Sequence, residues 1–261
     1  MTRASFIVIA AAIAIGIFAG MLILLAIGER LGRRQLDRHG PDARAGVGVV
    51  DAAVFGLLGL LIGFTFSGAA ARFDRRREIV GQEVNAARTA WLRIDLLPAE
   101  SQPPMRTDLR QYVGTLIESY ATPDGVADPF AEPQVVQRAR NDLWKHGVAV
   151  TLAPGGEAGR VLILPALNDL FAVAENERLA RRMHPPRVIF VMLAIAAFAS
   201  ALLAGYGLAN KSAHNRTYTI GIAATVAVAI YVIIELEYPR LGLIRVNEMD
   251  RALVDFHATM Q

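Results

Sequence analysis

GLLIGFTFSGAAARFDRRRE, residues 59–78, decides the fold. Ala52 to Ala71 carries no charge, and Arg72, Asp74, Arg75, Arg76, Arg77 and Glu78 follow at once. A helix needs about 20 apolar residues to cross about 30 Å of hydrocarbon, and this run supplies them. Backbone polar groups must be satisfied inside lipid, so the run is a helix. Between Ala69 and Glu78 most residues are good helix formers and none breaks the helix. The stretch therefore predicts one long helix that crosses the membrane and continues beyond it, a stalk carrying a helical layer.

The same reading extends to both ends of the chain. Of 261 residues, 54% are apolar, too many for an ordinary soluble domain. Runs nearly free of charge lie at 6–28, 47–71, 188–208 and 217–234, and each is read as a span. The first exceeds a signal-peptide core and reaches Gly28-Glu29-Arg30 without a small-residue cleavage site, so it is expected to be retained. The last is barely long enough; its pairing with the third through a short polar turn, 210–216, favours a span over a buried soluble helix. The expected fold class is all-α: a polytopic membrane protein with four transmembrane helices and a helical insert. Its parts are a hairpin at 1–72, an insert at 73–186, a second hairpin at 187–236 and a tail at 237–261.

Lys and Arg near span ends set orientation. Four spans put both termini on one side, with Arg3, Arg72, Arg75–Arg77, Arg178, Arg181, Arg182, Arg187, Arg240, Arg245 and Arg251. The other side has Arg30, Arg33, Arg34, Arg38, Arg44, Lys211 and Arg216. The first set is the larger, so the termini and the insert are expected to be cytoplasmic.

Helical spacing runs through the insert. Ile79, Val80, Val84, Ala87, Trp91, Ile94 and Leu97 form one apolar face, ended by Pro98 and the Pro103-Pro104 pair. Met105 to Tyr120 carries a second helix, Thr122-Pro123-Asp124-Gly125 a turn, and Val135 to Trp144 a third. A fourth is expected from about Arg160 toward Met183, with Pro165 as a kink or restart.

The absence of cysteine excludes disulfides, thiolate catalysis and cysteine metal sites. The five histidines are scattered with no metal-ligand spacing, and no Gly-x-Ser-x-Gly or phosphate loop occurs, so neither an enzyme nor a bound cofactor or metal is expected. No motif supports nucleic-acid binding. The basic run Arg75–Arg77 suits anionic headgroups of the lipid bilayer. Glu78, Glu83 and Asn85 read as a polar, solvated helix face.

Within 47–71, Ala52, Gly56, Gly59, Gly63, Ser67 and Ala70 recur at spacings of three and four. Small residues let helices approach closely in lipid. Packing within one subunit and contact between subunits around an axis are both open. Phe66 borders the stripe and Phe64 points elsewhere. Around an axis, Phe rings with Thr65 or Ser67 nearby would form a constriction that gates by dewetting. Charges at membrane depth are costly and default to functional candidates. Asp51 enters the second span, with Arg216 or Lys211 as its expected partner. Glu235 and Glu237 close the fourth span on the side of Arg72 and Arg75. They are candidates for register-fixing ion pairs or for a pore mouth.

The stretch from Phe55 to Pro98 resembles the core of the bacterial bestrophin-like membrane family. Leu167-Asn168-Asp169, Arg182 and the segment Glu235-Leu-Glu-Tyr-Pro-Arg-Leu-Gly242 fit the same pattern. The resemblance implies a protein of the bacterial inner membrane, with kinship to the bestrophins, pentameric anion channels with a hydrophobic neck on the second span. It implies a homo-oligomer, a pentamer by that count, passing inorganic anions, with Phe64 and Phe66 as neck residues. No acidic cluster resembles the bestrophin calcium clasp. The alternative is a non-conducting membrane scaffold or sensor whose cytoplasmic helices bind a protein partner.

Overall fold

A computed structural model describes residues 3–39, 47–121, 132–181, 183–209, 216–239, 241–243 and 247–260. Eight α-helices follow in chain order: α1 (Arg3–His39), α2 (Val47–Arg93), α3 (Gln102–Ala121), α4 (Gln134–Leu152), α5 (Glu157–Ala180), α6 (Arg187–Leu208), α7 (Arg216–Glu237) and α8 (Asn247–Thr259). The described residues contain no strand. Four helices, α1, α2, α6 and α7, are long and apolar enough to cross a membrane. α2 runs unbroken through Arg72–Arg77 for 47 residues, as its composition predicts.

Two compact units divide the chain. The first comprises residues 3–73 and 184–244. In it α1 lies against α6 and α7. Two glycines allow this. A Cβ on Gly28 would overlap the Leu202 carbonyl, and one on Gly205 would overlap the Leu25 carbonyl. The two backbones thus touch, and van der Waals packing replaces the hydrophobic drive that lipid removes. Phe6, Ala10, Ile17, Met21, Leu58, Ala197, Ala223 and Ile230 fill the core. Ala69 meets Ile233 and Leu236 of α7 beside it.

The second unit comprises residues 74–183 and 245–261. Its core joins Ala87, Ala90 and Ile94 of α2 to Leu109, Tyr112 and Val113 of α3, Leu143 of α4 and Ile163, Leu167 and Leu170 of α5. Phe171 presents edge contacts to Tyr112 and Trp144, with centroids 5.3 and 6.3 Å apart. Leu253, Phe256 and Met260 of α8 close the same core. The α4–α5 turn needs Gly155, whose φ of 82° is left-handed. At the far end of α5, Arg76 donates to the carbonyls of Ala180 (3.1 Å) and Met183 (2.9 Å), supplying partners that a helix C-terminus lacks.

Three local expectations need correction. α2 passes into a 3₁₀ turn at Ile94–Leu96 and stops at the extended Leu97, just before Pro98, but Pro103 and Pro104 play no part in ending it: they stand in the first turn of α3, where a missing N–H costs nothing. Pro165 neither restarts nor divides α5, which is one helix from Glu157 to Ala180. Glu83 is not on a solvated face: it is fully buried and accepts a hydrogen bond from the Tyr120 hydroxyl. The turn at 122–125, Arg182, Arg240, Arg245 and Lys211 lie outside the described residues, as does the side chain of Arg216.

Candidate functional site

The membrane part of α2 differs from the other spans. Only 6% of its apolar window is buried in the protomer, against 50% for α7. Its buried face carries Leu58 and Ala69, with Leu61, Ile62, Thr65 and Gly68 half-buried. Thr65 donates its hydroxyl to the Leu61 carbonyl at 2.7 Å, so its polar group is satisfied within the helix. The other face is open. Gly56, Gly59, Gly63 and Ser67 are exposed, and a Cβ at any of the three glycines meets nothing within 4 Å. Phe64 is 70% and Phe66 45% exposed.

A clamp holds the end of this segment. Arg72 reaches the Glu237 carboxylate of α7 through Nε, at 3.0 Å to Oε1 and 3.3 Å to Oε2, and through Nη2 to Oε1. The planar guanidinium suits this two-toothed contact. Glu237 is wholly buried, and a buried carboxylate needs such a partner. His184 Nδ1 stands 3.9 Å from Glu237 Oε2. The His184 ring stacks on Tyr238 at 4.5 Å, and Tyr238 meets Phe6 at 5.1 Å. Gly68 makes room for the clamp: a Cβ there would lie 3.2 Å from the Arg72 Nη1.

Glu235 is equally buried but turns elsewhere, as residues two apart on a helix must, at about 100° per residue. Its carboxylate accepts the Leu243 N–H and a hydrogen bond from Tyr231. Gly242 sits against that carboxylate, where a Cβ would overlap it. Arg75 pairs with Glu78 on its own helix, at 2.8 Å. Asp51 is half-buried, with Oδ2 2.6 Å from where a Cβ on Gly207 would stand. Of the charged candidates, then, the structure brings Arg72 and Glu237 together, while Glu235 holds the chain after α7 and Asp51 meets α6.

The unit of residues 74–183 and 245–261 has its own polar cluster. Tyr120 donates to Glu83, Arg181 lies 4.5 Å above the Tyr120 ring, and Arg181 Nε forms an ion pair with Glu177 at 2.7 Å. Burial, with Glu83 and Glu177 beside it, pushes the Tyr120 phenol well above its ordinary value of 10.0. Burial likewise raises Tyr112. Among the described residues, no three acids or histidines converge on a metal position.

A long-helix membrane protein with four spans and a helical unit between the second and third is the class these features define. The family profile of the Bestrophin-like domain matches residues 15–249, and the chain belongs to the bestrophin-like family. Its fold matches crystal structures of a bacterial bestrophin homologue from Klebsiella pneumoniae. One single-site variant aligns at TM-score 0.66 and 18% identity, over 94% of this chain and 100% of that one. A second gives 0.64 and 15%, over 95% and 98%. A third gives 0.63 and 17%, over 93% and 99%. No curated protein matches the sequence significantly.

Proposed function

We propose that the chain is the subunit of an oligomeric ion channel whose path follows an axis lined by the membrane part of α2. One observation carries this reading. The face of α2 built from Gly56, Gly59, Gly63 and Ser67 approaches no other part of its own protomer, although small residues in a span serve close helix approach. α1 and α6 use Gly28 and Gly205 for such an approach. A second copy supplies what the α2 stripe lacks.

Phe66, beside Ser67 and with Phe64 on the far flank, would then narrow a ring into a hydrophobic neck, while Thr65 belongs to the face that α2 turns toward its own protomer. Dry constrictions of this kind gate by dewetting. From Ala52 to Ala71 the lining carries no charge, so the neck acts as a barrier and does not select by charge. Anions as the permeant class, five as the subunit number, and the bacterial inner membrane as the site all rest on family likeness. Placement of the termini and residues 73–186 in the cytoplasm rests on the distribution of Lys and Arg.

The test has two stages. Native mass of the detergent-solubilised protein is expected to give a ring of four or more copies. Liposomes containing it are expected to release halide, with reversal potentials in a chloride gradient reporting the ion class. A monomer or dimer removes the axis and overturns the channel. A ring without flux points to the scaffold reading instead.

A further inference from the structure

The clamp at Arg72 lies on one side of α2 and the glycine stripe on the other. At about 100° per residue, Gly56, Gly59, Gly63 and Ser67 fall within about 40° of the direction opposite Arg72. Leu58, Leu61, Thr65, Gly68 and Ala69 fall within about 60° of Arg72 itself. Burial follows this division: Leu58 and Ala69 are 2% and 0% exposed, whereas the stripe is open. Arg72 is thus the polar end of the face that α2 turns toward its own protomer.

We infer that Arg72 and Glu237 are positioning residues that fix the rotation of α2, and so determine which face it offers to a neighbouring copy. The inference rests on the proposed channel for its consequence and on the protomer for its geometry. Apolar contacts along the membrane part of α2 are few, and apolar contacts slide, whereas a two-toothed ion pair has one good geometry. The carboxylate it binds is itself fixed, since Glu237 is wholly buried and His184 approaches it from 3.9 Å. Gly68 allows the guanidinium to lie close along the helix. Glu237 thus fixes a point on α7, Arg72 grips it, and Gly68 leaves the space. Because Glu237 pairs with Arg72 inside the subunit, the pair has no net charge to offer passing ions.

The absence of native cysteine makes the rotation measurable. A single cysteine is placed at Leu58, on the clamped face, in the full-length protein in nanodiscs. Its rate of reaction with a lipid-soluble maleimide is read. Labelling is expected to be slow in the otherwise unaltered protein. It should rise about tenfold in both Arg72→Gln and Glu237→Gln, and no further when the two are combined. The exchange Arg72→Glu with Glu237→Arg should restore most of the slow rate. Arg72→Lys, which keeps charge without the fork, should fall between, and it replaces Arg72→Gln if that variant leaves the monodisperse size-exclusion peak. Unchanged labelling in both single variants overturns the inference. So does additivity of the two changes.

The channel reading fails by a different signal. A cysteine at Ser67, on the stripe, should form disulfides between copies under mild oxidation. If it does not while the Leu58 labelling behaves as stated, the clamp stands and the axial contact falls. In flux measurements, Arg72→Gln and Glu237→Gln should change amplitude in the same direction and leave reversal potential unmoved. A reversal shift confined to Arg72→Gln would make it a selecting charge and overturn its role as a clamp.

Discussion

At the level of single residues, burial decides which charges matter. Removing Arg72 takes the two-toothed partner away from the wholly buried Glu237 carboxylate. Stranding a buried charge costs about 3–5 kcal/mol, and about 3 is expected here because the Arg72 side chain is itself 32% exposed to solvent. Arg72→Ala should therefore lower the melting temperature in detergent, and Glu237→Gln less so. Tyr120 gives a second prediction. Tyr120→Phe deprives the wholly buried Glu83 of a donor, at a cost of about 1–3 kcal/mol. The phenol also links stability to pH. Its folded pKa stands above 10.0, so its stabilising share is intact below pH 10 and is lost as pH rises toward the folded value. Chemical unfolding of the wild type should become easier above about pH 10, and Tyr120→Phe should flatten that dependence. Equal slopes in the two proteins would show that the phenol is not the titrating group.

Glycine has opposite meanings on different helices, and substitution separates them. Gly28 and Gly205 bring the α1 and α6 backbones into contact, so alanine at either must push the helices apart. Overpacking of this kind costs about 1–3 kcal/mol, read as a lower melting temperature of the solubilised protein. Gly59→Ala meets nothing in the protomer and should raise helix stability by about 0.5–1 kcal/mol. If the stripe is a subunit contact, the same change weakens assembly, so the native-mass distribution shifts toward smaller species. A stable protomer with unaltered assembly would remove the stripe from the interface. The contrast also shows what one sequence can reveal. The four apolar runs and the unbroken α2 are properties of consecutive residues, and they are legible. Close approach belongs to a pair of helices: nothing within 6–28 marks Gly28 apart from Gly16 or Gly20. Glu83 has its partner at Tyr120, 37 residues away, and reads locally as a solvated acid. Leu253, Phe256 and Met260 sit in a short charged tail, and their place in a core depends on α3 lying beside them. Glu237 stands out by its depth at a span end, whereas its sibling Glu235 shares that depth but faces the turn at Gly242.

For the whole molecule, the deciding quantity is conduction in an assembled ring. The two phenylalanines are not equivalent in it. Counting about 100° per residue, Phe66 lies about 60° from the centre of the glycine stripe, and Phe64 about 100° from it on the opposite flank. Phe64 is also the more exposed, 70% against 45%, as expected of a ring that only lipid or a neighbour covers. If the stripe turns toward the assembly, Phe66 turns with it and narrows the path, while Phe64 stands at the side. Phe66→Ala should therefore raise steady halide flux about tenfold by widening and wetting the neck, with Phe64→Ala giving a smaller change. Phe66→Tyr keeps the ring and adds a hydroxyl, so it should ease wetting without widening the gap, with flux between the two. Subunit number must stay fixed across the series for the comparison to hold, and native mass checks that. The reverse order, Phe64→Ala exceeding Phe66→Ala, would place the path on the flank of α2 nearer Arg72 and require the clamped face to line it. Equal insensitivity at both positions would leave α2 without a neck, and the conducting path would have to be sought away from this helix.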